Sequence, residues 1–381
     1  MDGIRSLHSL HNGRSWIAAA AAFLTLILLS GCASLTDWRG SGTPTPSDRF
    51  VLPPQGTDVV GRVQVTSARY EDTLLDIARR YDLGYEEMVA ANPGVDPWLP
   101  GEGTRVVLPT QFVLPGGARE GLVLNLASMR LFYFPEPVPG EPAEVITHPI
   151  GIGREGWLTP QGSMHIIQKK EKPAWTVPES VRTEHAKEGK PLPKIVPPGP
   201  DNPLGDFAMR LSNPSYLIHG TNQPYGVGLR VSHGCVRLYP EDIARLFPAV
   251  PTGTQVRIIN EPYVAGWRDG QLYLEAHQPL AEDAERWNGS LKPMERAVSV
   301  KAADRHAEVS WDRARDVALE ARGLPLPIGP GSPELDELLA KAPQVPSVPP
   351  WAVPVDEGEE TVEGASSTDE LADNRSSLPP S

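Results

Sequence analysis

Proline and glycine interrupt this chain so often that long regular elements are excluded: 42 prolines and 35 glycines stand among 381 residues, about a fifth of the whole. Proline has no backbone donor for a helix interior or a central strand, and glycine loses the most conformational freedom on ordering. The segments between these breaks are short and rich in β-branched and aromatic residues. Candidate strands cover residues 122–126, 130–134, 145–150, 163–168, 207–211, 216–218 and 255–259, separated by turns that contain glycine or proline. The first two, joined by Ala127-Ser128-Met129, read as a hairpin. The expected fold is mainly β, and its folded part is smaller than the chain.

The chemistry concentrates in two nearby stretches. Ile218-His219-Gly220-Thr221-Asn222 precedes Val231-Ser232-His233-Gly234-Cys235-Val236-Arg237, and His219 lies 16 residues before Cys235. A thiol becomes a nucleophile when an imidazole draws off its proton, and the flanking Gly220 and Gly234 let substrate and backbone donors come close. Cys235 is therefore the candidate nucleophile and His219 the candidate acid and base, a double use that suits its proton affinity. The backbone N–H groups of His233, Gly234 and Cys235 are candidate donors to a developing oxyanion. The His233 ring reads either as a second imidazole at the substrate or as loop packing. Arg237 reads either as a fork for a substrate carboxylate or as a tie between loop and sheet. Asn222 and Ser232 read as loop-shaping residues. No acid directly follows His219 in the sequence to orient its ring. The two histidines and the cysteine lack the paired spacing of a zinc site, and a metal would quench the thiolate, so no metal or organic cofactor is expected.

The organisation along the chain is uneven. Arg5 and Arg14, an uncharged stretch from Trp16 to Leu29, and Leu29-Ser30-Gly31-Cys32 resemble a bacterial lipoprotein signal over residues 1–31, with Cys32 as the lipidated residue. The apolar run is shorter than the ~20 residues of a membrane-spanning helix. Ala33 after that cysteine points to the outer membrane, which the lipid would tie to a protein in the periplasm. Residues 32–60 read as a flexible linker rich in Pro, Gly, Ser and Thr. Residues 61–110 change character, to strand, helix, helix and strand. Asp72 or Thr73 caps a helix over 73–81, and Asn92-Pro93-Gly94 stops a second one over 85–91. A mostly β unit covers 121–262, and within it a short helix over 240–247 opens on Pro240 just past the cysteine loop, with Glu241 and Asp242 in its first turn. The long proline-containing segment 169–203, with Trp175, reads either as a lid or binding surface or as an irregular strand connection stiffened by proline. Residues 263–280 read as an accessory hairpin closed by Asp269-Gly270. Residues 281–381 read as a largely disordered proline-rich and acidic tail with weakly helical pieces such as 311–322. The net charge of −13 and the lack of a basic cluster argue against nucleic acid as a partner.

Asp72-Thr73-Leu74, Ile77-Ala78, Ala91-Asn92-Pro93 and Leu99-Pro100-Gly101 give the 61–110 unit a resemblance to a βααβ LysM module, which implies binding to the glycan of peptidoglycan. His219-Gly220-Thr221-Asn222, the step to Ser232-His233-Gly234-Cys235-Val236-Arg237, Gly151-Ile152-Gly153 and Thr159-Pro160-Gln161-Gly162 resemble the signature of YkuD-type L,D-transpeptidases, and of their periplasmic ErfK-like branch. That resemblance implies a β-sandwich-like domain with a short helix beside the cysteine, a backbone carbonyl that orients the His219 ring, a cap formed by residues 169–203 over the substrate groove, no cofactor, and acyl transfer on stem tetrapeptides through a cysteinyl thioester. D-Alanine would leave, and the acceptor would be a second stem peptide, giving a 3→3 cross-link, or the lysine of an outer-membrane lipoprotein. Transfer to water would make the enzyme an L,D-carboxypeptidase. A silent tether between outer membrane and wall is the reading from a different class.

Overall fold

The computed structural model describes residues 48–349; the signal-like segment with Cys32 and the acidic run 355–381 lie outside them. The first part runs β1 (Arg49–Val51), β2 (Val59–Gly61), β3 (Gln64–Ser67), α1 (Leu74–Arg80), α2 (Tyr85–Ala91), β4 (Arg105–Leu108) and β5 (Gln111–Val113). The central part follows with β6 (Gly121–Asn125), β7 (Arg130–Phe134), β8 (Glu144–Pro149), β9 (Ile152–Gly153), β10 (Gly162–Glu171), β11 (Trp175–Thr176), α3 (Glu179–Lys187), β12 (Ile195–Val196), β13 (Phe207–Leu211), β14 (Leu217–His219), β15 (Arg230–Ser232), β16 (Val236–Arg237), α4 (Pro240–Ala249) and β17 (Gln255–Ile259). The last part adds β18 (Tyr263–Arg268), β19 (Gln271–Ala276), α5 (Ala281–Trp287), α6 (Lys292–Ala303), α7 (Trp311–Glu320), β20 (Leu326–Pro327) and α8 (Leu335–Ala340).

One nine-stranded sheet, in the order β1-β8-β7-β6-β17-β10-β13-β14-β16, forms the frame. Its middle strands are buried on both faces. Leu122, Leu124, Leu131 and Tyr133 point into a core with Met209, Ile218, Val236, Ile243 and Val256. Their alternate neighbours Val123, Phe132 and Phe134 point into a second core with Leu74, Ile77, Tyr81, Met88 and Phe112. Because successive strand residues face opposite ways, a strand covered on both sides needs an unbroken apolar run, which β6 and β7 have. Full burial of one such side chain contributes about 1.5–3 kcal/mol.

The βααβ unit that forms the second core is closed by antiparallel β3 and β4. Of the two candidate caps, Thr73 serves: its hydroxyl accepts from the Asp76 N–H at 3.1 Å, and Asp76 accepts from the Thr73 N–H at 2.9 Å. Asp72 instead forms a buried ion pair with Arg80. Asn92 stops α2 and pins it to β4, donating to the Met88 and Val107 carbonyls and accepting from the Val107 N–H at 2.7 Å. The unit docks through a buried fork: Arg130 on β7 donates to both carboxylate oxygens of Glu87 on α2, at 2.7 and 2.8 Å, with its guanidinium 4.2 Å from the Phe112 ring centre.

Two expectations are corrected here. The linker expected over 32–60 ends earlier, because residues 49–51 form an edge strand on β8 and residues 59–61 pair with β5. Runs of two or three apolar residues become strands only when a partner edge is supplied from elsewhere in the chain. The disordered tail expected over 281–381 is folded as far as residue 349. Helices α6 and α7 bury Val298, Ala314 and Val317 against Trp267, Leu272 and Leu274 of the β18–β19 hairpin. The chain then returns to the βααβ unit, where Val65 donates to the Pro343 carbonyl at 3.0 Å and Val345 donates back to Val65 at 2.8 Å. These helices are too short to persist alone, so their stability comes from a sheet face distant in sequence.

Candidate active site

The catalytic loop is built by pairing strands from two separated stretches. β14 and β16 are parallel neighbours, with Ile218 opposite Val236 and His219 opposite Arg237. Side chains alternate along a strand, so His219, Arg237 and the position of Cys235 share one face of the sheet, with His219 and Cys235 on a diagonal. Gly234, at φ +101°, turns the backbone just before the sulfur, and an added Cβ would lie 2.8 Å from the Tyr216 ring. Helix α4 begins immediately afterwards, and Gly220 packs so closely on it that a Cβ would meet Ile243 at 3.0 Å. The predicted helix beside the cysteine is thus present and braces both halves of the motif.

His219 is 3% exposed. Its Nδ1 lies 2.6 Å from the Gly220 carbonyl, which can only accept, so Nδ1 carries the hydrogen and Nε2 keeps its lone pair. The expected backbone orienter is therefore in place. Burial first, and then the Arg237 charge, lower the imidazole pKa from 6.5 to about 3. Cys235 is partly covered. Loss of solvation pushes its thiol up, against smaller opposing effects of the Leu217 N–H, Arg237 and Arg210. Its Sγ donates to the Ser215 carbonyl at 4.0 Å. The expected thiolate, ionised by the ring upstream, is therefore not the resting form. Thiol and imidazole both rest neutral, because neither charged form is solvated there.

The loop around the sulfur is held by small hydroxyls. Ser232 Oγ donates to the Cys235 carbonyl at 2.6 Å and accepts from the Gly234 N–H at 3.1 Å. Thr159 Oγ1 donates to the Gly234 carbonyl at 3.0 Å and accepts from the Gly153 N–H at 3.0 Å. Of the three expected oxyanion donors, the Gly234 N–H is thus engaged by Ser232. Arg237 is half-buried, its pKa is lowered by desolvation, and its Nε is buried with no hydrogen-bond partner among the described residues.

His233 turns toward the cap. Its Nε2 lies 2.8 Å from Glu184 Oε2 on α3, its ring meets Trp157 edge to face at 4.8 Å, and Arg154 pairs with the same Glu184. The segment 169–203 thus contains a helix that reaches the cysteine loop. Trp175 sits in its small β11–β12 pair opposite Val196. Sequence reasoning missed Glu184, Arg154 and Trp157, since none belongs to a motif and each meets the loop only through tertiary folding; Thr159 stands in a signature piece, but only the fold brings its hydroxyl to the Gly234 carbonyl.

A mainly β fold that presents a cysteine and a carbonyl-oriented histidine on one sheet face defines the class: an enzyme of acyl transfer with a thiol nucleophile. Comparison with known families narrows it. The L,D-transpeptidase catalytic domain model, YkuD, matches residues 119–258. The chain is 40% identical over 291 residues to the probable L,D-transpeptidase ErfK/SrfK of Salmonella typhimurium, covering 75% of this chain and 93% of that one. It is also 40% identical over 282 residues to the probable L,D-transpeptidase YbiS of Escherichia coli, covering 73% and 90%. To the probable L,D-transpeptidase YcfS of the same organism it is 41% identical over 245 residues, covering 63% and 75%. The chain belongs to the YkuD family of L,D-transpeptidases.

Proposed function

We propose that the protein transfers peptidoglycan stem peptides from a terminal D-alanine to an amine acceptor. The observation that carries this reading is the bond from His219 Nδ1 to the Gly220 carbonyl, because it leaves Nε2 as a base on the face that holds Cys235. As Sγ attacks the carbonyl between diaminopimelate and D-alanine, its proton passes to His219 Nε2. Neither group needs to be charged beforehand. The imidazolium then protonates the leaving nitrogen, the C–N bond breaks, and a thioester remains. An incoming amine loses its proton to Nε2, forms the new amide and expels the thiolate, which takes that proton back. The His233 and Cys235 N–H groups are the donors left for the oxyanion, each worth about 3 kcal/mol. Arg237, whose charge opposes the rise of the Cys235 pKa, steadies the developing thiolate.

The βααβ unit reads as a LysM module that holds the enzyme on glycan. Tyr70, Trp98 and Leu99 are 82%, 61% and 75% exposed in the two loops next to its helices, a surface suited to stacking against sugar rings. Lipidation at Cys32 would place the enzyme in the periplasm at the outer membrane. The acceptor is a second stem peptide or a lipoprotein lysine.

Incubation with disaccharide tetrapeptide tests the reading. Release of D-alanine with a covalent adduct, both lost in Cys235→Ala, supports it. Retained glycan binding without any adduct in the parent protein refutes it in favour of a tether. Muropeptide mass spectrometry then separates 3→3 dimers, lysine-linked products and bare tripeptides, the last being the mark of a carboxypeptidase.

A further inference from the structure

Three buried side chains converge where the βααβ unit, β8 and α4 meet. Asp82 comes from the turn between α1 and α2, where it takes φ +53°; His148 comes from β8, and Asp242 from the first turn of α4. Their exposures are 8%, 1% and 1%. His148 Nδ1 lies 3.0 Å from Asp82 Oδ2 and 3.6 Å from Asp242 Oδ1, and one donor atom from each residue falls within 4.8 Å of the others. Each residue also has an atom buried with no hydrogen-bond partner among the described residues: Asp82 Oδ1, His148 Nε2 and Asp242 Oδ2.

The surrounding charges leave this trio short of cation. Arg130 donates to the Asp82 backbone carbonyl, but Glu87 holds both arms of its fork. Arg79 is paired with Glu241. Arg245 donates to Asp242 Oδ1 at 2.8 Å and lies 3.6 Å from Asp48. Two carboxylates in one dry site therefore share a single guanidinium that a third acid also faces. Such a pair must hold a proton or a cation.

A shared proton would relieve the carboxyl pair alone. The geometry goes further, since an imidazole nitrogen and one oxygen from each carboxylate lie within 4.8 Å of one another. Ligands at about 2.0–2.2 Å in a tetrahedron stand roughly 3.3–3.6 Å apart, and the spacings around His148 Nδ1 are 3.0 and 3.6 Å. One imidazole with two carboxylates is a donor set for a small divalent transition metal.

We propose that Asp82, His148 and Asp242 form a structural metal site of the zinc class that clamps the βααβ unit to the helix following Cys235. The site is separate from the catalytic chemistry and supplies no step of it. A metal there would neutralise both carboxylates and fasten α4, on which Gly220 packs.

The test uses the full, untagged chain in a Cys32→Ser, Cys235→Ala background, which removes both thiols as competing ligands. Protein stripped with chelator is exposed to Zn²⁺ alone, desalted, and its metal counted by mass spectrometry, with Tm recorded before and after. The expected result is one zinc ion per chain and a higher Tm. Adding His148→Gln should weaken zinc binding by about tenfold or more and abolish the Tm rise. Asp82→Asn serves as the second variant should His148→Gln not fold. Zinc retained equally in the variants that fold would overturn the site, and so would a parent that takes up no zinc and keeps its Tm.

Discussion

Replacing His219 by glutamine should make the protein less sensitive to mild acid, although it removes the catalytic base. In the unfolded chain an imidazole takes up a proton near pH 6.5, whereas the buried ring does so only at about pH 3. Between those values the unfolded state binds the proton and the folded state does not, so stability falls as pH falls. A pH of 5 lies about 1.5 units below the ordinary imidazole pKa that the unfolded chain keeps, which corresponds to roughly 2 kcal/mol lost relative to pH 7. His219→Gln deletes that term, while its amide can still donate toward the Gly220 carbonyl. Urea unfolding followed by tryptophan fluorescence at pH 7 and pH 5 measures it. Carboxylates elsewhere titrate in both proteins and cancel in the comparison. The loss between the two pH values should be smaller by about 2 kcal/mol in the variant. Equal losses would mean that the ring is protonated in the folded enzyme as readily as in water, and the neutral base would have to be given up.

In a Cys32→Ser background, alkylation of Cys235 by iodoacetamide should accelerate with pH through and beyond the ordinary thiol range, because desolvation raises its pKa; a plateau already present at pH 7 would show a resting thiolate instead. Arg237→Met removes a charge that lowers the Cys235 pKa, so alkylation at pH 8 should slow, and an unchanged rate would contradict that coupling. Arg130→Ala leaves the buried Glu87 carboxylate without its fork and should cost roughly 3–5 kcal/mol in urea unfolding; a loss under about 1 kcal/mol would show that the pair is solvated. Glu184→Gln weakens the link from α3 to His233, so KM for tetrapeptide should rise while the alkylation rate of Cys235 stays unchanged. A change in alkylation with KM unaltered would place Glu184 at the nucleophile rather than in the cap.

Much of the fold was legible because its signals are local. Strands β13 and β17 and helix α2 fall where their apolar and β-branched runs end at glycine, proline or asparagine. Helix α4 starts at the proline that suits its first turn. The folded C-terminal segment was illegible for the opposite reason. Its helices offer few apolar residues each, and only the face carrying Trp267 and Leu274 gives them something to bury.

Local order and residue type alone determined the nucleophile and the base, since a thiol, an imidazole and adjacent glycines allow few other chemistries, while the backbone orienter was implied by the family resemblance. Tertiary packing decided the rest. Desolvation by the surrounding protein sets both reacting groups neutral, which no spacing of residues reveals. The turn of His233 toward Glu184, and the meeting of Asp82, His148 and Asp242, depend on elements dozens of residues apart being brought together. Proton affinity and ion pairing follow from three-dimensional neighbours, and for these groups the neighbours lie far away along the chain.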